Sequence, residues 1–328
     1  MTRTTPARPV SVEVLFPDLA AHRGRTTRLH PRPGRPGVRD SHVGGPMLWP
    51  DSEPWPVCHE THQPETEGYV PDEIRSARAA GVRPSTRTWP GAATPGANGP
   101  VPLVGLAQFF RQDIPGLAPG PGDADLVQLF RCPMTHGSYL ERRYHLRWRR
   151  AGEIGRAART SPEAPMLRWE EELPEPCVLH PEEVDTYPWA EDDTLPAPLI
   201  ARIDAWEDAQ VAAHGADAPT YQGDLSIPPG WRVGGFPSWA STGPMDIDCG
   251  SCRTPMRLLL TAGGDEMDTG SHSWMPLEDR NPSLRGLASI QGGRSVAEPT
   301  RLRFGRDRDL HVFTCPADPG HPARWVLS

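Results

Sequence analysis

The chain contains no lysine: all 34 of its basic residues are arginine. That absence excludes a Schiff-base lysine, a phosphate-gripping lysine of the P-loop type and a lysine general base. Long apolar runs are also missing, since nothing approaches the roughly 18 residues of a membrane span. The first ten residues, MTRTTPARPV, lack the apolar core of a secretory leader, so a cytoplasmic location is expected. In that compartment the six cysteines stay reduced, and ligand or core roles are expected in place of disulfides. A net charge of −8 argues against nucleic acid or an anionic membrane as a default partner. Several catalytic signatures are missing too: there is no HExxH, GxSxG, GxGxxG or P-loop.

What is abundant is proline and glycine, 41 and 32 residues. Proline removes a backbone donor and glycine has little conformational preference, so long helices are disfavoured. Short strands joined by tight turns suit this composition, and the 11 tryptophans supply bulk for the core. The expected class is mainly β or α+β, as two related β-rich halves with short helices and long Pro/Gly-rich loops. Residues 1–165 form the first half, 166–222 an acidic and Pro-rich connector, and 223–328 the second half. Val10, Val12, Val14 and Phe16 alternate with polar residues and predict an early strand. Arg23 to Arg39 reads as a solvated loop. Pro71 to Ala80 predicts a short helix with Pro in its first turn, followed by a flexible Gly/Ala/Pro tract up to Pro100. Leu103 to Phe110 predicts a buried strand. Residues 198–213 predict the connector helix, with Leu199, Ile200, Ile203 and Trp206 on one face. Gly264 to Gly270 reads as a hairpin loop.

The two halves repeat one pattern. Gly44-Gly45-Pro46-Met47-Leu48-Trp49 matches Gly234-Gly235-Phe236-Pro237-Ser238-Trp239. A cysteine follows at a similar distance, Cys58 and Cys249. A buried strand comes next, Val101 to Phe110 and Met256 to Thr261. Finally GDADLVQLFRCP (122–133) matches GRDRDLHVFTCP (305–316) without a gap.

This repeat carries two metal-type clusters. In the second half Cys249-x2-Cys252 is joined by Cys315-x5-His321. In the first half Cys58-x3-His62 is joined by Cys132-x3-His136, with His59 as a possible substitute. Thiolate and imidazole favour zinc over magnesium or calcium, which prefer oxygen. Four protein ligands leave no position for a catalytic water, so the expected role is structural. Cys177 and His180, near Glu182, Glu183 and Asp185, read as a loop and a surface strand and not as a third site.

The opening GG–x–x–x–W turn, the VPLVGLAQFF strand (101–110), VGGFPSWAS (233–241) and RDLHVFTCP (308–316) together resemble the YwqG-like family of uncharacterised bacterial proteins. The resemblance runs from about Val38 to the end. That family is similar to the domain of programmed-cell-death protein two, whose members act as dedicated chaperones of a ribosomal protein. The resemblance implies a protein- or peptide-binding role. Two departures stand out: Ser241 occupies a place where Gln is common, and the Cys/His pairs, not general to the family, suggest a metal-stabilised branch. The expected function is thus a zinc-stabilised, chaperone-like or immunity-type module binding a polypeptide, with Trp231 and Trp274 as anchors on its surface. No catalytic residue is assigned. The alternative is a metal-dependent hydrolase or transferase, which needs an open site with three protein ligands and a nearby unpaired acid.

Overall fold

Short strands and frequent turns build a mainly β molecule around two six-stranded antiparallel sheets. The computed structural model describes residues 2–328 apart from positions 64, 90–99, 138–142, 159–161, 192–194, 241, 268–272, 281–293 and 306–307. Ser241, most of the Gly/Ala/Pro tract and the far end of the Gly264–Gly270 loop therefore lie outside the described residues.

One sheet runs, in spatial order, Glu182–Thr186, Gly24–Arg28, Arg232–Gly234, Arg257–Ala262, Leu310–Thr314 and Arg324–Leu327. The other runs Arg32–Pro33, Cys177–Val178, His42–Val43, Val104–Phe110, Leu126–Arg131 and Tyr144–Arg149. The two orders correspond position by position. Even the irregularities agree: the register shifts between Gly105 and Ala107 in one sheet and between Leu258 and Leu260 in the other. A bulge inserts one residue and re-aims the strand, so the same kink is placed at the same point of both sheets. The paired glycines have one cause. Gly44 and Gly234 begin the GG turn with φ of +70° and +68°, a left-handed backbone that side chains disfavour. A Cβ on Gly44 would also lie 2.6 Å from the Glu175 carbonyl oxygen.

The strands are exchanged between sheets. Gly24–Arg28 belongs to the sheet made mostly of residues beyond 230, while Cys177–Val178 belongs to the other. Around each crossing the triplet Leu29-His30-Pro31 recurs as Leu179-His180-Pro181. The backbone ties them together, His180 N donating to the Leu29 carbonyl at 2.8 Å. Both sheets close on a shared core in which Leu29, Val43, Leu106 and Leu129 join Trp231, Val233, Leu260 and Val312. Burial of apolar surface of this kind contributes roughly 25 cal/mol per Å².

Two expectations change. Residues 12–15 form a helical turn, not a strand. The turn sets Val12 and Phe16, at i and i+4, into the core (4% and 3% exposed) and leaves Val14 out at 78%. The predicted loop 23–39 instead contributes the interior strand Gly24–Arg28, second from one edge of its sheet. Its Thr26, Thr27 and Arg28 are buried, and their polar atoms find partners such as the Val233 and Trp274 carbonyls. Polarity read as solvation was in fact buried polarity, partly met by distant carbonyls. The predicted helices stand: Pro71–Ala80 ends on Gly81 in the left-handed conformation, and Ala197–His214 buries Leu199 and Ile203.

Candidate metal centres and a buried polar row

The end of one strand and the turn after it deliver half of each cluster. Cys132 and Cys315 directly follow the strands Leu126–Arg131 and Leu310–Thr314. Each opens a Cys-Pro turn that brings back a histidine, His136 or His321. The other half comes from the segment after the GG turn. Cys58 sits in a two-residue strand paired with Val101, and His62 follows four residues later. Cys249 and Cys252 lie on a tight knuckle: Arg253 N donates to the Cys249 carbonyl and Cys249 N to the Thr254 carbonyl, both at 2.9 Å. Arg253 adopts φ of +63° to close it.

The ligand atoms converge as the spacing predicts. Cys58, His62, Cys132 and His136 form one group and Cys249, Cys252, Cys315 and His321 the other, with all donor atoms of each within 4.8 Å of one another. In the first, Cys58 Sγ lies 3.8 Å from His136 Nε2 and Cys132 Sγ 3.5 Å from His62 Nε2. In the second, Cys249 Sγ lies 3.4 Å from His321 Nδ1 and Cys252 Sγ 3.5 Å from Cys315 Sγ. Bonds of about 2.0–2.3 Å to one tetrahedral ion imply donor–donor edges of about 3.3–3.8 Å. Both clusters therefore fit a metal ion. Carboxylates flank the imidazoles, Glu60 3.5 Å from His136 Nδ1 and Asp318 3.6 Å from His321 Nε2, the arrangement that orients a ligating histidine. His59 is exposed and belongs to neither group.

Their surroundings differ. All four members of the first group are buried, and Cys58 and Cys132 pack among Met47, Trp49 and Phe130. Burial pushes the Cys132 thiol well up, so a thiolate there needs a cation beside it. In the second group Cys252 is exposed and His321 partly so. Cys177, the remaining cysteine, is buried in its sheet and donates to the Pro299 carbonyl.

Trp231 and Trp274 are not surface anchors: they are 1% and 2% exposed. Trp231 sits in the shared core, its ring 6.3 Å from those of Phe109 and Phe304. Trp274 donates its indole N–H to the Gly223 carbonyl at 2.7 Å, and the Arg8 and Arg28 guanidiniums lie over its ring. Aromatic bulk went where the short strands left the most space to fill.

Sequence reading missed a row of buried polar side chains across each sheet. Arg28, Arg232, Thr261 and His311 are successive cross-strand partners, and His42, Gln108 and Gln128 occupy the matching row. All are nearly or wholly inaccessible. Each row holds the backbone of its own GG turn. His311 Nε2 meets the Ser238 carbonyl at 2.7 Å and Arg232 donates to the Phe236 carbonyl at 3.1 Å. In the other sheet Gln128 donates to the Leu48 carbonyl at 3.0 Å, and His42 Nε2 meets the Pro46 carbonyl at 3.0 Å. Desolvation drives His42 down to about 4 and His311 to about 3, so both stay neutral. The polar residues set within these strands, such as His311 in Leu310–Thr314, were the available signal, but in sequence they look the same as residues on a half-solvated strand.

A groove runs beside each GG turn. The larger one, about 920 Å³, is lined by Phe236, Pro237, Met245, Met256, Leu258 and Pro316, with Asp246 and Asp248 beside them. Its counterpart, about 410 Å³, lies along Gly44, Gly45, Met47 and Gly105. Among the described residues no helix is long and apolar enough to cross a membrane. No known family model matches the chain, and no curated protein is detectably similar to it in sequence.

Proposed function

We propose that the protein is a zinc-stabilised module that binds a polypeptide. The observation that carries this reading is the pair of four-donor clusters in matching places: each has a full tetrahedral set, leaving no position for a reacting water. The mixed thiolate and imidazole donors suit zinc. Its task is then to brace the turns beside the grooves, and Cys315 itself lines the larger one. That groove is about half apolar, with Asp246 and Asp248 at its side, and the whole chain carries −8. The occupant is an extended segment of another protein combining apolar and basic side chains. A hydrolase or transferase would require one donor fewer and an acid poised over the vacancy.

Metal analysis of the purified protein is expected to find two zinc ions per chain, one for each cluster, and chelation to unfold it. A labelled Arg/Leu-rich peptide should bind the zinc-loaded protein. Binding should weaken about tenfold when Met245, 41% exposed, becomes Asp, as expected for loss of a well-packed contact. Metal-free protein that stays folded and binds the peptide equally would overturn the architectural role of the ions. Unchanged affinity in Met245→Asp would remove the groove from the proposal.

A further inference from the structure

Because every strand position has a counterpart, one sheet shows what the other needs for structure alone. Leu48, Phe110 and Leu126 are buried together with Ala151 and Ile154 in an apolar cluster. Through the matched GG turns, strands and GDADLVQLFRCP/GRDRDLHVFTCP segments, their counterparts are Ser238, Gly263 and Asp309. A leucine has become serine, a phenylalanine has become glycine, and a second leucine has become aspartate. Where these apolar side chains pack together in the first half, with an outer hollow of about 570 Å³ beside Phe110 and Ala151, the second half has a cavity of about 320 Å³.

Its lining is polar and includes the Arg303–Glu298 ion pair; Asp265 also accepts from Met267 N at 2.8 Å. Asp309 and Asp265 present carboxylates, Arg308 a guanidinium, Ser238 a hydroxyl and Trp189 an indole edge. The Asp309 carboxylate accepts a hydrogen bond from Ser238 at 3.3 Å. Burial raises Asp309 to about 6 against the pull of Arg232, a cost the leucine at the matching place avoids. Arg232 lies behind the cavity wall, wholly buried, and donates to Ser238 at 3.4 Å. The Trp189 Nε1 atom is buried and unpartnered. Ile227, Pro228 and Met267 form an apolar side to the same space.

We infer that this cavity binds a small zwitterion of the α-amino-acid type. The ammonium pairs with Asp309 and Asp265, the carboxylate faces Arg308, and the side chain lies against the apolar side. A lone amine would use the carboxylates and leave Arg308 unused. A lone carboxylate would face two acidic groups.

The test is calorimetric titration of the zinc-loaded full chain with each common amino acid, with n-butylamine and butyrate as single-charge controls. At least one amino acid should saturate below about 1 mM, a modest affinity for a small polar ligand. Both controls should bind at least about tenfold more weakly, the weight of one charge-assisted contact. Asp309→Asn should weaken the amino acid about tenfold as well. The pair Ser238→Leu with Asp309→Leu, which restores two of the first half's residues, should abolish binding. The inference is overturned if no amino acid saturates by about 10 mM, if butylamine or butyrate binds as tightly, or if Asp309→Asn changes nothing. Should the leucine pair fail to fold, the asparagine variant still decides.

Discussion

Replacing Gln108 by Met is the sharpest test of the buried polar row, because methionine nearly conserves shape while deleting every hydrogen bond of the amide. In the native protein Gln108 Oε1 accepts from Leu48 N at 2.8 Å, and Nε2 donates to the Val38 and Asp40 carbonyls at 2.9 and 3.0 Å. Leu48 is 0% exposed, so its N–H cannot turn to water. A buried donor left unsatisfied costs about 1–3 kcal/mol. The two carbonyls belong to partly exposed residues, and water takes them over, adding about 1 kcal/mol together. The expected loss is about 2–4 kcal/mol, read as a lower urea midpoint at unchanged slope in zinc-loaded protein. A loss below about 1 kcal/mol would refute the reasoning. It would mean that packing of Trp49, not the glutamine, fixes the GG turn.

Two further outcomes follow from burial and charge. Zinc should leave in two phases under a chromogenic chelator, the second cluster first, because Cys252 is exposed while every ligand of the first cluster is buried. Cys252→Ser should remove the fast phase only, and a single phase in the native protein would contradict the assigned difference. Stability should fall as pH drops from about 6.5. His30, His42 and His311 are held at about 3, 4 and 3 by desolvation, so the unfolded chain takes up protons that the folded one refuses. Glu266 and Asp309 are raised to about 7 and 6. They act in the opposite sense, since the folded form protonates first as pH falls. At pH 5 the histidines cost about 6 kcal/mol together and the carboxyls return about 4, leaving a net loss of about 2. Urea midpoints measured at pH 6.5 and 5 check this, and a flat or rising profile would be inconsistent with neutral buried histidines.

The amino-acid sequence by itself determined the β-rich class, the repeat of GG turn, strand and Cys-Pro turn, and the membership of both Cys/His clusters. These are local signals: a left-handed Gly44 or Gly234, a CxxC knuckle and a Cys-Pro turn act within a few residues, so spacing alone exposes them. Only the tertiary structure decided which strand joins which sheet. Gly24–Arg28 crosses to the far sheet because its partners, Glu182–Thr186 and Arg232–Gly234, lie more than 150 residues away, beyond any periodicity. It also decided that Arg28, His42, Gln108 and His311 belong inside, since a polar residue satisfied by a distant carbonyl reads in sequence like one facing water. The same limit placed Trp231 and Trp274 in the interior. The clusters themselves came out of the structure as the sequence had grouped them, but their difference in exposure did not, because burial depends on neighbours that spacing never names.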